Sequence, residues 1–236
     1  MMFWKKNNRL LFEHVPKCGG VSVSGYLRQN YRSDEIFELN GGKPHQSLDE
    51  FRALSSDEQS RFRLVLGHGA HQLVGLCPEH TVCATILRNP IDRIVSHYYF
   101  VLASPDHYLY EQVTSEDMSL TDYVTSGISG ELRNNYVCRF LQISADEAEA
   151  EPDHHIQEAY ELLAARYTVG VLEHLDDAMN SIRRAANLKR RWKNQRLNTT
   201  KKRRSIQEIS DTERRAIAKV NSMDVELYER VVKSLV

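Results

Sequence analysis

The chain has 236 residues, 41% hydrophobic and 27% charged, with a formal net charge of −1. That length supports one sizeable core and a single domain over 1–236, and the balance is that of a globular protein, not a disordered tail or a fibre. No run approaches the ~20 apolar residues of a membrane span. The opening "MMFWKKNNRLLFEHV" has neither the apolar length nor the cleavage site of a signal peptide, so the expected location is cytoplasmic.

In chain order, "RLLFEHV" (9–15) predicts a buried first strand. A turn follows, Pro16-Lys17-Cys18-Gly19-Gly20-Val21-Ser22, and then a helix over 21–31. "DEIFELN" predicts a short second strand. The segment 47–62 has helical periodicity, with Ser47 and Glu50 spaced as a capping box. "FRLVLGH" and "HTVCATILR" predict two more strands, the first ending at Gly67. In the second, β-branched residues fall on both faces, as in a covered parallel sheet. Pro90 opens a helix through "PIDRIVSHYYFVLA". The stretch 120–165 reads as helical in three pieces. "RYTVGVLEHL" returns to a strand ending near Val171 or Leu172, and 211–235 reads as a helix capped by Ser210. This order predicts an α/β fold with a mostly parallel sheet flanked by helices. Ligands of such sheets sit beyond the carboxyl ends of the strands, which directs attention to 16–22, 67–71 and 88–96.

The first of these segments is built for an anion. Two glycines let the backbone approach closely, the helix start adds partial positive charge, and Lys17 and Ser22 add a full charge and a hydroxyl. An ordinary strand–turn–helix junction with an exposed lysine reads the same way, since short glycine motifs match often. The order is not that of a Walker loop: Lys17 precedes the glycines, and no GK[ST] occurs in the chain. Arg88, at a predicted strand end, can grip a phosphate in bidentate fashion, with Ser96 adding a hydrogen bond. Arg93 is five residues from Arg88 and falls on a different helical face. In "LVLGHGAH", His68 and His71 both follow a strand end and are both candidates for a base.

"HVPKCGGVS" and "LRNPIDRIVSHYY" resemble the "HIPKTGGTS" and "LRxPxxRxxSxYY" blocks of the carbohydrate sulfotransferases related to heparan sulfate 2-O- and 6-O-sulfotransferases. Weaker likeness extends over most of the chain, through "LRNNYVCRFL", "YTVGVLEHLDDAMNSIRR" and "MDVELYERV". The resemblance implies a P-loop-like sulfotransferase fold and a donor, 3′-phosphoadenosine 5′-phosphosulfate (PAPS), with no metal. It implies that Lys17, Cys18, Gly19, Gly20, Val21 and Ser22 hold the 5′-phosphosulfate and that Arg88 and Ser96 hold the 3′-phosphate. It also implies that a histidine after "LVLG", His68 or His71, is the base, and that Lys17 stabilises the leaving group. Cys18 departs from the usual Thr, removing a hydroxyl. Its backbone N–H is expected to remain for binding, and a reactive thiol is the alternative reading. The chain looks like a soluble, bacterial version without the stem of the Golgi members.

The run 183–204 carries no acidic residue. It reads as a solvated face, as a nucleic-acid surface with Trp192 for stacking, or as a loop closing on the donor through Arg196, Thr200 and Lys201. The expected partner is a glycan or another hydroxyl-bearing acceptor, with no specific nucleic acid. The competing functions are an ATP-using P-loop-like kinase, which lacks its magnesium ligand here, and a nucleic-acid-binding protein, which leaves both anion-binding blocks unexplained. The four cysteines form no CxxC pair, which argues against a zinc site.

Overall fold

The computed structural model describes residues 8–193 and 203–235. Five strands, β1 (Leu10–Glu13), β2 (Ile36–Glu38), β3 (Leu64–Gly67), β4 (Val82–Leu87) and β5 (Tyr167–Val171), form a parallel sheet in the order β2-β3-β1-β4-β5. The helices in chain order are α1 (Gly20–Arg28), α2 (Pro44–Ala53), α3 (Ser56–Gln59), α4 (Pro90–Leu102), α5 (Tyr110–Ser115) and α6 (Leu120–Thr125). They continue with α7 (Asn135–Leu141), α8 (Ala145–Ala150), α9 (Pro152–Arg166), α10 (Leu175–Ala185), α11 (Asp211–Val220) and α12 (Ser222–Leu235). The expected α/β class and parallel sheet are therefore present. Among the described residues no helix is long and apolar enough to cross a membrane.

The residues divide into two compact units, Met1–Leu87 with Leu162–Leu197, and Arg88–Glu161 with Asn198–Val236. The first contains the sheet. Its strands alternate between two cores, as a period of two requires. Leu10, Phe12, Leu64, Leu66, Ala84 and Ile86 pack with Val23 and Leu27 of α1 and Met179 and Ile182 of α10. Leu11, Val65 and Cys83 face the other way, onto Leu48 and Phe51 of α2 and Leu73. Because both faces are covered, the strands read as continuous apolar runs. β1 is central, and the chain leaves β1 and β4 toward opposite edges of the sheet. That is the topological switch point at which open α/β sheets bind ligands.

The second unit packs Ile94, Val95, Tyr98 and Val101 of α4 against α5, α6 and α11. Within it Arg93 is fully buried. Its Nη2 donates to the Glu131 carbonyl at 2.9 Å, and its guanidinium carbon lies 5.4 Å from the Tyr136 ring centroid. His97, on the next turn, meets the Tyr123 hydroxyl at 2.6 Å and the Glu131 carboxylate at 3.2 Å.

Two expected helices are divided. The segment 47–62 breaks after Ala53, so Ser47 lies inside α2 and cannot cap it. Ser47 Oγ accepts from the Asn40 N–H instead, and the capping box belongs to Ser55 and Glu58 at the start of α3. The terminal segment breaks at the fully buried Asn221, whose side-chain amide donates to the Leu132 carbonyl at 2.9 Å. Ser210 caps α11 as expected. The stretch 120–165 holds four helices, α6 to α9, rather than three.

Burial raises the Glu131 carboxyl, but the His97 hydrogen bond and the charges of His97, Arg139 and Arg93 outweigh it and hold the group at about 2. A folded value depressed from 4.5 contributes stability that is fully present above the unfolded value and is lost as pH falls toward 2. Glu131→Gln should therefore lower the melting temperature near neutrality and flatten its decline below pH 4.5, as calorimetry across that range would record.

Candidate functional site

The register of the sheet sets the first half of the site. Glu13 is paired with Gly67 of β3 on one side and Thr85 of β4 on the other. His14 and His68 therefore leave neighbouring strands side by side. Their rings stack with centroids 4.3 Å apart and planes 30° apart. His68 Nδ1 lies 2.5 Å from the His14 carbonyl. A carbonyl only accepts, so Nδ1 carries the proton and Nε2 is the basic nitrogen.

The turn after β1 brings the helix start to the same edge. Lys17 has φ 66° and Gly19, the N-cap, has φ 79°. Both lie in the left-handed region, which folds the chain back so that α1 begins at Gly20. A Cβ at Gly19 would meet Leu172 at 2.6 Å, and one at Gly20 would meet the His14 ring at 1.6 Å. Gly19 is therefore required by conformation, and Gly20 by its contact with the His14 ring. The first-turn N–H groups of α1 stand ahead of the helix's own hydrogen-bond ladder, which opens with the Val23 N–H donating to the Gly19 carbonyl. Val21 is exposed and Ser22 half-buried beside them.

Cys18 is turned inward. It is buried, its N–H donates to the Val15 carbonyl at 3.3 Å, and its thiol lies 3.6 Å from the Pro16 carbonyl. The expected contribution of its N–H is thus engaged within the turn, and the thiol is shielded from reaction.

His71 differs from His68. It is buried, its ring Nδ1 lies 3.0 Å from Glu13 Oε2, and its backbone N–H donates to the same carboxylate at 2.8 Å. This geometry anchors the turn after β3 and gives His71 a supporting place. A separate cavity of about 130 Å³ opens beside α1, lined by Ser22, Tyr26, Gln29, Arg191 and Trp192 among others. Tyr26 and Trp192 meet edge to face at 5.2 Å.

In the second unit, Asn89 caps α4 by accepting from the Ile91 and Asp92 N–H groups at 3.0 and 3.3 Å, with Pro90 in the first turn. The cap turns Arg88 back along the helix, where its Nε donates to Asp92 Oδ2 at 2.8 Å. Arg203 donates to the other oxygen of Asp92. Two guanidinium groups thus share one carboxylate. Burial, and then the Arg88 charge, push Arg203 down to about 10. Ser96 is buried two turns along α4.

Residues 1–229 match the Sulfotransferase family. The chain belongs to that family. Among solved structures it is similar to mouse sulfotransferase SULT7A1 complexed with PAP, at 11% identity and a TM-score of 0.41, covering 93% of this chain and 65% of that one. No curated protein matches.

Set beside the residues chosen from the sequence, this sulfotransferase-family chain gathers Lys17, Gly19, Gly20, Val21, Ser22 and His68 at the ends of β1 and β3. Arg88 stands just before the Asn89 cap of α4, and Ser96 lies two turns into that helix. Arg196, Thr200 and Lys201 lie outside the described residues. Two cations at the end of the basic run are engaged within the chain: Arg203 is held by Asp92, and Arg204 pairs with Glu213 and donates to the Tyr99 hydroxyl at 2.6 Å. The sequence reading missed His14 and Arg203. His14 stood in the quoted loop, but only strand register shows that it abuts His68. Arg203 needed its partner Asp92 to single it out from neighbouring cations. The cysteine spacing did not bear on His154, His155 and Glu158, which bring ligand atoms within 4.8 Å of one another on α9, with His154 and Glu158 exposed.

Gly20→Ala tests the packing of the two imidazoles. Alanine suits a first helical turn, but its Cβ displaces the His14 ring from its place over His68. The expected result is a folded protein whose His68 ring-proton NMR signals lose the ring-current shift from His14. Unchanged signals would show that the two rings do not depend on Gly20.

Proposed function

We propose that the chain is a PAPS-dependent sulfotransferase acting on an acceptor hydroxyl, with a carbohydrate as the acceptor. One observation carries the reading. A glycine turn that opens α1 follows the end of β1, and one residue past the adjacent end of β3 stands His68, an imidazole whose Nδ1 is held by the His14 carbonyl. Membership of the sulfotransferase family supports it.

PAPS supplies an activated sulfuryl group. On this reading the first-turn N–H groups of α1 and the Ser22 hydroxyl hold its 5′-phosphosulfate, with Lys17 offsetting the negative charge that grows on the leaving oxygen. Arg88, with Arg203 and Ser96, receives the 3′-phosphate, the group that distinguishes this donor from ATP. The cavity beside Ser22 suits the purine: Tyr26 and Trp192 offer aromatic faces, and the amide of Gln29 offers both a donor and an acceptor. His68 Nε2 takes the proton of the acceptor hydroxyl, and the His14 carbonyl holds the imidazole in the tautomer that permits it. His71 holds the turn that carries His68. The reaction is an in-line transfer in which positioning and charge stabilisation do most of the catalysis.

The donor assignment predicts that 3′-phosphoadenosine 5′-phosphate raises the melting temperature well above the effect of equimolar ATP with magnesium, through linkage of binding to folding. Equal stabilisation by both nucleotides would overturn it.

The base assignment predicts that His68→Ala lowers kcat by ~10²–10⁴-fold while nucleotide affinity is kept, because the imidazole acts on the acceptor. His71→Ala should cost less activity and more stability. Sulfuryl transfer from labelled PAPS, with binding measured on each variant, decides between the two histidines. Full activity in His68→Ala with loss in His71→Ala would exchange their roles.

A further inference from the structure

Arg88 stands at a difficult point of the backbone. It follows the last residue of β4 and precedes the Asn89 cap of α4, so its peptide groups belong to neither ladder. Buried main-chain donors and acceptors need partners. One side chain supplies both. The Tyr136 hydroxyl, on α7, accepts from the Arg88 N–H at 3.2 Å and donates to the Arg88 carbonyl at 2.7 Å. A phenol can do both at once, and a phenylalanine of the same shape can do neither.

Tyr136 is itself held by two groups. It is fully buried. Its own N–H donates to the Asp224 carboxylate of α12 at 2.9 and 3.0 Å, and the neighbouring Val137 N–H donates to the same group at 3.2 Å. The Arg93 guanidinium lies against its ring. Asp224 is also fully buried, so the start of α7 cannot shift without stranding a carboxylate. Arg88 therefore has two separate anchors. Asp92 holds its guanidinium, and the Tyr136 hydroxyl holds its peptide.

We propose that Tyr136 is a positioning residue for phosphate recognition: its hydroxyl clamps the Arg88 peptide and so aims the Arg88 guanidinium at a phosphate monoester, the ribose 3′-phosphate of the donor. This rests on the reading of Arg88 as the 3′-phosphate ligand. The hydroxyl never meets the nucleotide. It acts by limiting the directions that the Arg88 side chain can take, so that less freedom is lost when the phosphate binds.

The test is a double-mutant cycle of Tyr136→Phe and Arg88→Ala, read by calorimetric binding of 3′-phosphoadenosine 5′-phosphate and of adenosine 5′-phosphate. Melting curves establish that each variant is folded at the binding temperature. Tyr136→Phe should weaken 3′-phosphoadenosine 5′-phosphate about tenfold, the scale of one buried hydrogen bond, and leave adenosine 5′-phosphate unchanged. In the Arg88→Ala background the same substitution should have no effect on either nucleotide. Equal weakening of both nucleotides, or an effect that persists without the Arg88 side chain, would mean that Tyr136 only supports the fold, and would overturn the proposal. Unchanged affinity in Tyr136→Phe, with Arg88→Ala strongly weakened, would overturn it too. If Arg88→Ala itself leaves 3′-phosphoadenosine 5′-phosphate affinity intact, the reading of Arg88 fails, and the proposal that depends on it falls.

Discussion

The first half of the site hangs on the buried carboxylate of Glu13. It is the last residue of β1 and is wholly enclosed. Its two oxygens accept from the Gly69 and His71 N–H groups at 3.3 and 2.8 Å, and its own carbonyl accepts from the Thr85 hydroxyl at 3.0 Å. One residue thereby ties together the carboxyl ends of β3, β1 and β4. A buried carboxylate without such partners would cost several kcal/mol; with them it fixes where each following turn begins. Lys17, His14 and His68 all emerge from turns that start at this tie. An acid so placed is not a base for an acceptor. Its contribution to chemistry is the alignment of the groups that follow it.

The Arg88–Asp92–Arg203 cluster shows a different use of charge. Two cations about one anion leave a net positive charge in a partly buried place, and each guanidinium makes the other less favourable. Asp92 lowers that cost but does not remove it. An added anion would relieve the remaining repulsion, and relief of this kind favours a dianionic phosphate monoester over a singly charged group. Two other arginines of the basic run are spent differently. Arg190 donates to the Gln29 carbonyl at 2.7 Å, and Arg204 is committed to Glu213 and Tyr99.

The sheet was legible because buried parallel strands leave a plain trace: short apolar runs followed by glycine or proline. The turn after β1 was legible too, since Gly19 and Gly20 sit where the backbone has no room for a side chain. What failed to show was anything set by register or by long-range packing. Ser47 and Glu50 have the spacing of a cap, yet the helix had already started at Pro44, whose ring suits a first turn. Nothing local in 211–235 announces the break at Asn221, because its amide is committed to a carbonyl eighty-nine residues away. His14 was passed over because one sequence cannot state that Glu13 lies opposite Gly67. His68 and His71 could not be separated for a related reason: three residues apart in a turn, they diverge only once Glu13 captures one of them.

Lys17 gives the last constraint. A non-glycine residue at φ 66° is uncommon and costs about 1–3 kcal/mol at a strained position. Glycine would relieve that strain, and two glycines stand immediately after Cys18. The chain nevertheless places a long cationic side chain at a point of the turn where backbone conformation opposes it. The gain must lie in where the side chain starts. In the Walker order the lysine follows the glycines and belongs to the helix start. Here it leaves from the turn itself, half-buried, ahead of the left-handed Gly19 that opens α1. The lysine and the first-turn N–H groups thus start from two separate points of the turn. That arrangement suits a group whose two ends differ, with one end held by backbone dipoles and the other carrying the charge that grows as a bond breaks.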